Sequence, residues 1–286
     1  ISATTLVFTF FCDVVTQHGG EMWLGNVIRV LAPLDINERL TRTAVFRLVR
    51  DGWLESRKQG RRSYYRLTPT GKRNYQRAAK RIYTSGQLAW DGEWTLVFTA
   101  MTADEQRDAL NRGLLWLGYG RIAKTVFALP RHPDTALGEL LIDLGLEHDV
   151  VCMRAETDDA DGISKLVTAS WKLDELRERY GIFTRQYHEA LKIVQNSKQA
   201  NAQTLLLLRV LLIHEYRKIL LNDPELPMEM LPADWEAPIA QNLTAELYRR
   251  LATTTSAWIH HELLETRDTE TPVIDILATR FSHPVS

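Results

Sequence analysis

Residues 4 to 15 are mainly apolar, which predicts a packing helix, and His18-Gly19-Gly20 breaks it. Trp23, Leu24, Val27, Ile28 and Leu31 recur at helical spacing, so a second helix is expected from Glu21 to about Leu31, stopped at Pro33. Asn37 is a favourable N-cap for a third helix running from Glu38 to Arg50. Trp53 to Arg57 and Ser63 to Leu67 read as strands joined by the turn Lys58-Gln59-Gly60-Arg61-Arg62, a β-hairpin. Thr68-Pro69-Thr70-Gly71 opens a further helix to about Tyr83. Helix, turn, helix and basic hairpin, in that order, outline a winged helix-turn-helix.

Gly86 to Gly92 reads as a linker, after which the period changes. Trp94 to Thr99 alternates as a strand, and Thr102-Ala103-Asp104-Glu105 has the capping-box pattern for a helix reaching Leu117. A short strand near Arg121, a strand from Thr125 to Leu129, an Asp134-capped helix bearing Leu137, Leu140, Leu141 and Leu144, and a strand at Val150 to Met153 complete β-α-β-β-α-β. That order predicts a ferredoxin-like sandwich. From Ser170 the pattern is mostly helical: Trp171 to Tyr180, Thr184 to about Ser197, and a strongly apolar helix from Thr204 to Leu221. A proline-punctuated loop from Pro224 to Pro232 leads to Trp235. The fold class expected is thus α+β and multidomain, divided as 1–85, 86–169 and 170–286.

Charge sharpens the amino-terminal reading. Arg39 to Arg81 holds fourteen Lys and Arg against Asp51 and Glu55, a net +12 in a chain whose total is −1. Positive charge gathered so tightly points to a polyanion. On the third helix, Arg39, Arg42, Thr43, Arg47 and Arg50 share one arc of about 140°. Leu40, Ala44, Val45, Leu48 and Val49 fall opposite, as a core face. Phe46 falls among the arginines, where it can meet a thymine methyl or a neighbouring domain. The helix is expected to enter the major groove, where Arg makes bidentate contacts to guanine, while Lys58, Arg61 and Arg62 on the hairpin hold flanking phosphates. Tyr64-Tyr65 can stack single-stranded bases, although alternation along the strand favours at least one as core.

Other chemistry is sparse. The apolar run Leu6 to Cys12 is too short to span a bilayer and carries no basic leader, so neither a membrane segment nor a secretory signal is expected. Cys12 and Cys152 both lie in apolar runs and are expected as buried, reduced thiols of a cytoplasmic protein. Asp91 and Glu93 are an isolated acidic pair; a nuclease metal site needs more converging carboxylates, so no catalytic residue, metal or cofactor is expected. His214-Glu215-Tyr216-Arg217-Lys218 interrupts the apolar helix but lacks the second histidine of a zinc-protease helix. Two readings stand: a satisfied hydrogen-bond network, or an effector pocket formed by His214, Tyr216, Arg217 and Lys218.

Several stretches together resemble the PaaX family, the phenylacetic acid degradation operon repressors. They are Gly19 to Gly25, Arg42 to Leu48, Asp51 to Leu54, Gly60 to Tyr65, Trp90-Asp91-Gly92-Glu93-Trp94, Leu211 to Lys218, Asp223-Pro224 and Leu231 to Trp235. The resemblance covers nearly the whole chain in order. It implies a winged helix, a Cas2-like middle domain and a helical carboxy-terminal domain. It further implies a homodimeric repressor of phenylacetate catabolism, bound to a double-stranded operator and released by phenylacetyl-CoA or a related aryl-CoA. Two rivals remain at this point: a nucleic-acid-processing enzyme built on the middle domain, and a DNA-binding regulator controlled by a protein partner.

Overall fold

The computed structural model describes residues 2–83, 90–133, 135–157, 159–197, 200–264 and 280–281. The chain begins with helix α1 (Ala3–Asp13), strand β1 (Glu21–Trp23), helices α2 (Leu24–Leu31) and α3 (Glu38–Arg50), strands β2 (Leu54–Gln59) and β3 (Arg62–Leu67), and helix α4 (Pro69–Tyr83). It continues with β4 (Glu93–Phe98), α5 (Asp104–Trp116), β5 (Gly120–Ala123), β6 (Val126–Leu129), α6 (Thr135–Leu144), β7 (Val151–Glu156) and α7 (Ala160–Ser170). Three long helices close it: α8 (Leu173–Asn196), α9 (Ala202–Leu220) and α10 (Ala237–Glu262). No helix among the described residues is long and apolar enough to cross a membrane.

The chain forms two compact units. One comprises Ile1–Ser85, Ile182–Leu220 and Ala237–Ser286, the other Gly86–Gly181 and Leu221–Glu236. In the first, β1, β3 and β2 make an antiparallel sheet in that order. Glu21, Met22 and Trp23 pair with Arg66, Tyr65 and Tyr64. This corrects the sequence expectation of helix from Glu21. Gly19 and Gly20 both take positive φ, which turns the chain into an extended strand, and the helix starts only at Leu24.

The interior of this unit lies where α1 meets α9 and α10. Leu6, Val7, Phe10 and Phe11 of α1 are fully buried, as are Leu206, Val210 and Leu212 of α9 and Leu247, Tyr248 and Leu251 of α10. Within this hydrocarbon sits a charged knot. The carboxylate of Asp13 accepts from Arg209 Nε at 2.8 Å, Arg280 Nη1 at 2.5 Å, Tyr83 OH at 2.8 Å and Tyr248 OH at 3.0 Å. Arg280 also donates to Tyr75 OH, and its guanidinium lies 4.0 Å from the Tyr83 ring centre. Burial pushes the Asp13 carboxyl up, but Arg209, Arg280 and the two tyrosines outweigh it and hold it below the usual carboxylate range. Four segments distant in sequence are thereby tied to one carboxylate.

The second unit carries the sheet β5-β6-β4-β7, with every neighbouring pair antiparallel. The element order is the β-α-β-β-α-β read from the sequence. Val97, Leu110, Leu114, Phe127 and Leu137 form its core between the sheet and α5 and α6. Two expectations are corrected here, and one element is added. Thr102 does not cap α5; the N-cap is Ala103, and the Thr102 hydroxyl instead donates to Asp149 O at 3.3 Å. Cys152 is exposed, because β7 is an edge strand. Residues 160–170 form a helix that the sequence reading did not assign.

The helices expected at Trp171 to Tyr180 and from Thr184 are one, α8. Gly181 does not break it, although glycine inside a helix costs about 1 kcal/mol. Leu176, Tyr180, Phe183, Tyr187 and Leu191 are buried at helical spacing along α8, and burial at that scale outweighs the penalty. The Asp134 cap and residues 86–89 of the expected linker lie outside the described residues.

Candidate nucleic-acid interface

Helix α3 starts where its sequence says it must. Asn37 has extended backbone, and its side chain accepts from Leu40 N at 3.0 Å. The opposite end is fixed by Trp53 N donating to Leu48 O at 2.8 Å, beyond Gly52 at positive φ. Thr41, Ala44, Val45 and Leu48 are buried and hold the helix down. Leu40, expected on this core face, is 44% exposed, and Thr41 takes the inward position; its hydroxyl donates to Asn37 O at 3.1 Å.

The outward face carries Arg39, Arg42, Thr43, Phe46, Arg47 and Arg50, all exposed. Their pairing separates them. Arg42 is paired to Glu38 one turn before it, at 2.7 Å, and Arg50 to Asp51 at 2.9 Å. Both pairs are solvent-exposed, so each holds its arginine by about 1 kcal/mol or less. Arg39 and Arg47 have no ion pair or hydrogen bond from their guanidinium groups among the described residues. The Thr43 hydroxyl donates back to Arg39 O at 2.8 Å.

The hairpin is sorted in the same way. At its base, Arg57 pairs with Glu21 at 2.5 Å and Arg66 with Glu55 at 2.7 Å. The hydrogen bond from Arg57 holds the Glu21 carboxyl below its ordinary value. Gly60, at φ 59°, makes the turn, with Lys58 opposite Ser63 and Gln59 opposite Arg62. Lys58 and Arg61 are exposed at this tip and bond to no described group. Arg62 differs from them: its guanidinium lies over the Trp23 ring at 4.5 Å. Tyr64 and Tyr65, of which at least one was expected as core, are both half-buried, and Arg57 lies 5.7 Å from the Tyr64 ring. The resulting surface offers four open cations, two on a helix and two on a hairpin tip.

The residues singled out on α9 do not converge on one point. His214 is buried, with Nδ1 3.1 Å from Thr9 Oγ1. Thr9 spends its own proton on Thr5 O at 2.9 Å, so His214 must donate to it, which fixes the Nδ1–H tautomer. Desolvation pushes the His214 pKa down to about 4. Arg217 donates to the same Thr9 oxygen at 3.3 Å and lies 5.2 Å from the Phe8 ring centre. Its Nε is buried without a hydrogen-bond partner, and burial lowers its pKa. It faces no carboxylate within ion-pair distance among the described residues. Tyr216 points elsewhere, onto Phe183 at 5.6 Å, and Lys218 is exposed and paired with Glu215 at 3.1 Å.

Sequence reasoning missed two clusters. The Asp13 knot was signalled only by Asp13 at the end of an apolar run and by Arg209 alone among leucines. In the second unit, His132 Nε2 lies 3.0 Å from Glu93 Oε2 and 3.7 Å from Asp91 Oδ2, so the acidic pair has an imidazole beside it. Next to His132 is a cavity of about 340 Å³, also lined by Thr95, Pro133, Cys152, Met153 and Arg154. The ligand atoms of Asp91, Glu93 and His132 all lie within 4.8 Å of one another, a grouping that could hold a metal ion and that exposed acidic residues also form without one.

Comparison with known proteins finds three matches along the chain. Residues 2–71 match the PaaX-like protein family, residues 87–167 the PaaX protein central Cas2-like domain, and residues 171–261 the PaaX-like protein C-terminal domain. The transcriptional repressor PaaX of Escherichia coli (strain K12) is 33% identical over 263 residues, covering 91% of this chain and 83% of that protein. The solved structure of the uncharacterized protein Rv0674 from Mycobacterium tuberculosis aligns with a TM-score of 0.55 at 22% identity, over 86% of this chain and 95% of the other. That last likeness concerns the fold.

Proposed function

We propose, from the premise that the chain belongs to the PaaX family, that it is a DNA-binding transcriptional repressor of a phenylacetate catabolic operon and not an enzyme. The observation that carries this reading is the outward face of α3, where Arg39 and Arg47 stand exposed and unpaired among the described residues, followed by a hairpin presenting Lys58 and Arg61. In this reading residues 1–85 are a winged helix-turn-helix, with α3 as the reading helix and β2–β3 as the wing. Arg39, Arg42, Thr43, Arg47 and Arg50 face base edges and the groove rim. Lys58, Arg61 and Arg62 hold phosphates. Arg42 and Arg50 exchange weak surface partners for DNA, and Arg62 is held ready by its stack on Trp23. Residues 86–169 are the Cas2-like middle domain and 170–286 the domain for effector response and dimerisation. The protein acts in the cytoplasm as a homodimer on a two-fold related operator.

Release from DNA is assigned to phenylacetyl-CoA or a related aryl-CoA thioester. Such a ligand needs cations for its phosphates and an apolar slot for its ring. Arg217 supports a site there: it is a partly buried cation without a carboxylate, beside Phe8 and Thr9. The effector must bind the released form more tightly than the operator-bound one.

Binding to an operator selected from random duplexes tests the reading. Affinity is expected to fall with salt by a slope of roughly −0.9 per phosphate neutralised. Phenylacetyl-CoA, and not free phenylacetate, is expected to release the protein at micromolar concentration, roughly −8 kcal/mol of binding. Arg217→Ala should blunt release while leaving operator affinity intact. Binding that ignores salt overturns the DNA reading; release by no aryl-CoA overturns only the effector.

A further inference from the structure

Phe46 is out of place on the α3 face. It is 67% exposed, and no aromatic ring packs on it among the described residues. Arg42 lies one turn before it, Arg47 next to it and Arg50 one turn after. Leu40 is exposed three residues before Thr43, and Phe46 three residues after, so the three form one oblique ridge. The Thr43 hydroxyl spends its proton on Arg39 O, so the exposed side chain has its methyl but no free donor for a partner. An apolar ridge therefore crosses a cationic face.

The occupant must satisfy both. A second protein surface suits the ridge but must also bring carboxylates to Arg39 and Arg47. A phosphate ligand suits the arginines and leaves an aromatic ring in water. The major groove of duplex DNA supplies phosphates at its rims and one apolar group on its floor, the 5-methyl of thymine. We propose that Phe46 is a specificity-determining residue that reads a thymine 5-methyl group in each half-site, flanked by Leu40 and the Thr43 methyl. This rests on the DNA-binding reading above and adds a base identity to it. The same ring accepts 5-methylcytosine, which presents the same methyl, and disfavours unmethylated cytosine.

The test removes the methyl and nothing else. In the selected operator, each thymine is replaced in turn by uracil, which keeps every hydrogen bond of the base pair, and affinity is measured by titration. The intact protein is expected to lose about fourfold at one position per half-site, the factor corresponding to ~0.8 kcal/mol for one buried carbon. Phe46→Ala is expected to bind thymine and uracil operators equally. Because the ring is exposed, that variant should keep the circular dichroism and unfolding midpoint of the parent. Phe46→Leu should restore part of the discrimination. No uracil effect at any position, or an effect that persists in Phe46→Ala, overturns the assignment while DNA binding stands. A change in oligomeric state of DNA-free Phe46→Ala also overturns it, since the ring then belongs to a protein contact. Failure to bind any duplex removes the parent reading and this one together.

Discussion

Helices α3 and α9 both carry arginines among aliphatic residues, yet the side chains meet opposite fates. Arg39 and Arg47 stand in solvent without partners among the described residues, whereas Arg209 is wholly buried and spends Nε and Nη2 on Asp13 and Tyr248. The difference lies in what covers each helix. One side of α3 rests on the core and the other is bare, while α9 is packed by α1 and α10. The Arg209 guanidinium has given up its hydration and is answered by Asp13 and Tyr248, so it positions helices. An exposed one keeps its hydration until a polyanion displaces it, so it binds. Residue type alone does not separate the two roles; the neighbours do.

The contrast breaks most visibly at its buried end. Asp13→Ala leaves two arginines uncompensated and is expected to cost about 3–5 kcal/mol in urea unfolding. A loss below about 1 kcal/mol would mean that the knot is incidental to the fold. Acid should attack the same interior. Burial, aided by Arg209, pushes the His18 pKa from 6.5 down to about 4, so the unfolded chain takes up a proton there that the folded chain refuses. Stability is then full above about pH 6.5 and is lost as the pH falls toward 4, by on the order of 3 kcal/mol at about 1.4 kcal/mol per unit. His214, held down to about 4 in the same way, adds to the loss, so His18→Asn should make the decline shallower in a series of unfolding curves and leave the His214 part.

On the exposed side the effects are smaller and fall on the ligand. Arg47→Ala should weaken operator binding by about 1–3 kcal/mol and relax preference at one base pair per half-site, with no change in the unfolding midpoint. Arg61→Ala should weaken operator and random DNA evenly; a sequence-selective loss would move it from phosphate to base. The smallest effect is expected at Asn37→Ala, which removes the α3 cap and should cost about 1 kcal/mol of stability. Operator affinity should then fall only as far as the first turn, with Arg39, frays.

What was legible in the sequence was local. Asn37, the span of α3 and the hairpin with its basic tip depend on neighbours within a few residues, and they stand where the pattern put them. The Arg42–Glu38 pair, one turn apart, was not drawn from the sequence, where Arg42 was read only for its place on the outward arc. The strand at Glu21 was not, because its partner lies at Tyr64 to Arg66, and Trp23 also fits a helical period. Leu40 was read as core and is exposed because it stands at the edge of the core arc, where a wheel does not say how far the covering surface reaches. Gly181 looked like a stop because the aromatic stripe through it belongs to one helix only when both halves are packed. The Asp13–Arg209 contact joins residues 196 apart, beyond any periodicity.

The Asp13 knot also bears on how such a chain can evolve. Its carboxylate sits on the first helix, while three of its partners, Arg209, Tyr248 and Arg280, come from the last third of the chain. A gene fusion joining a foreign reading head at residue 85 would strip these arginines of their anion and open the α1 face of the core. Wholesale exchange of heads, the usual route by which regulators recombine old recognition with new response, is closed to this architecture. On the DNA-binding reading proposed above, new operators are reached by point substitutions on the bare side of α3, with the knot inherited unchanged alongside.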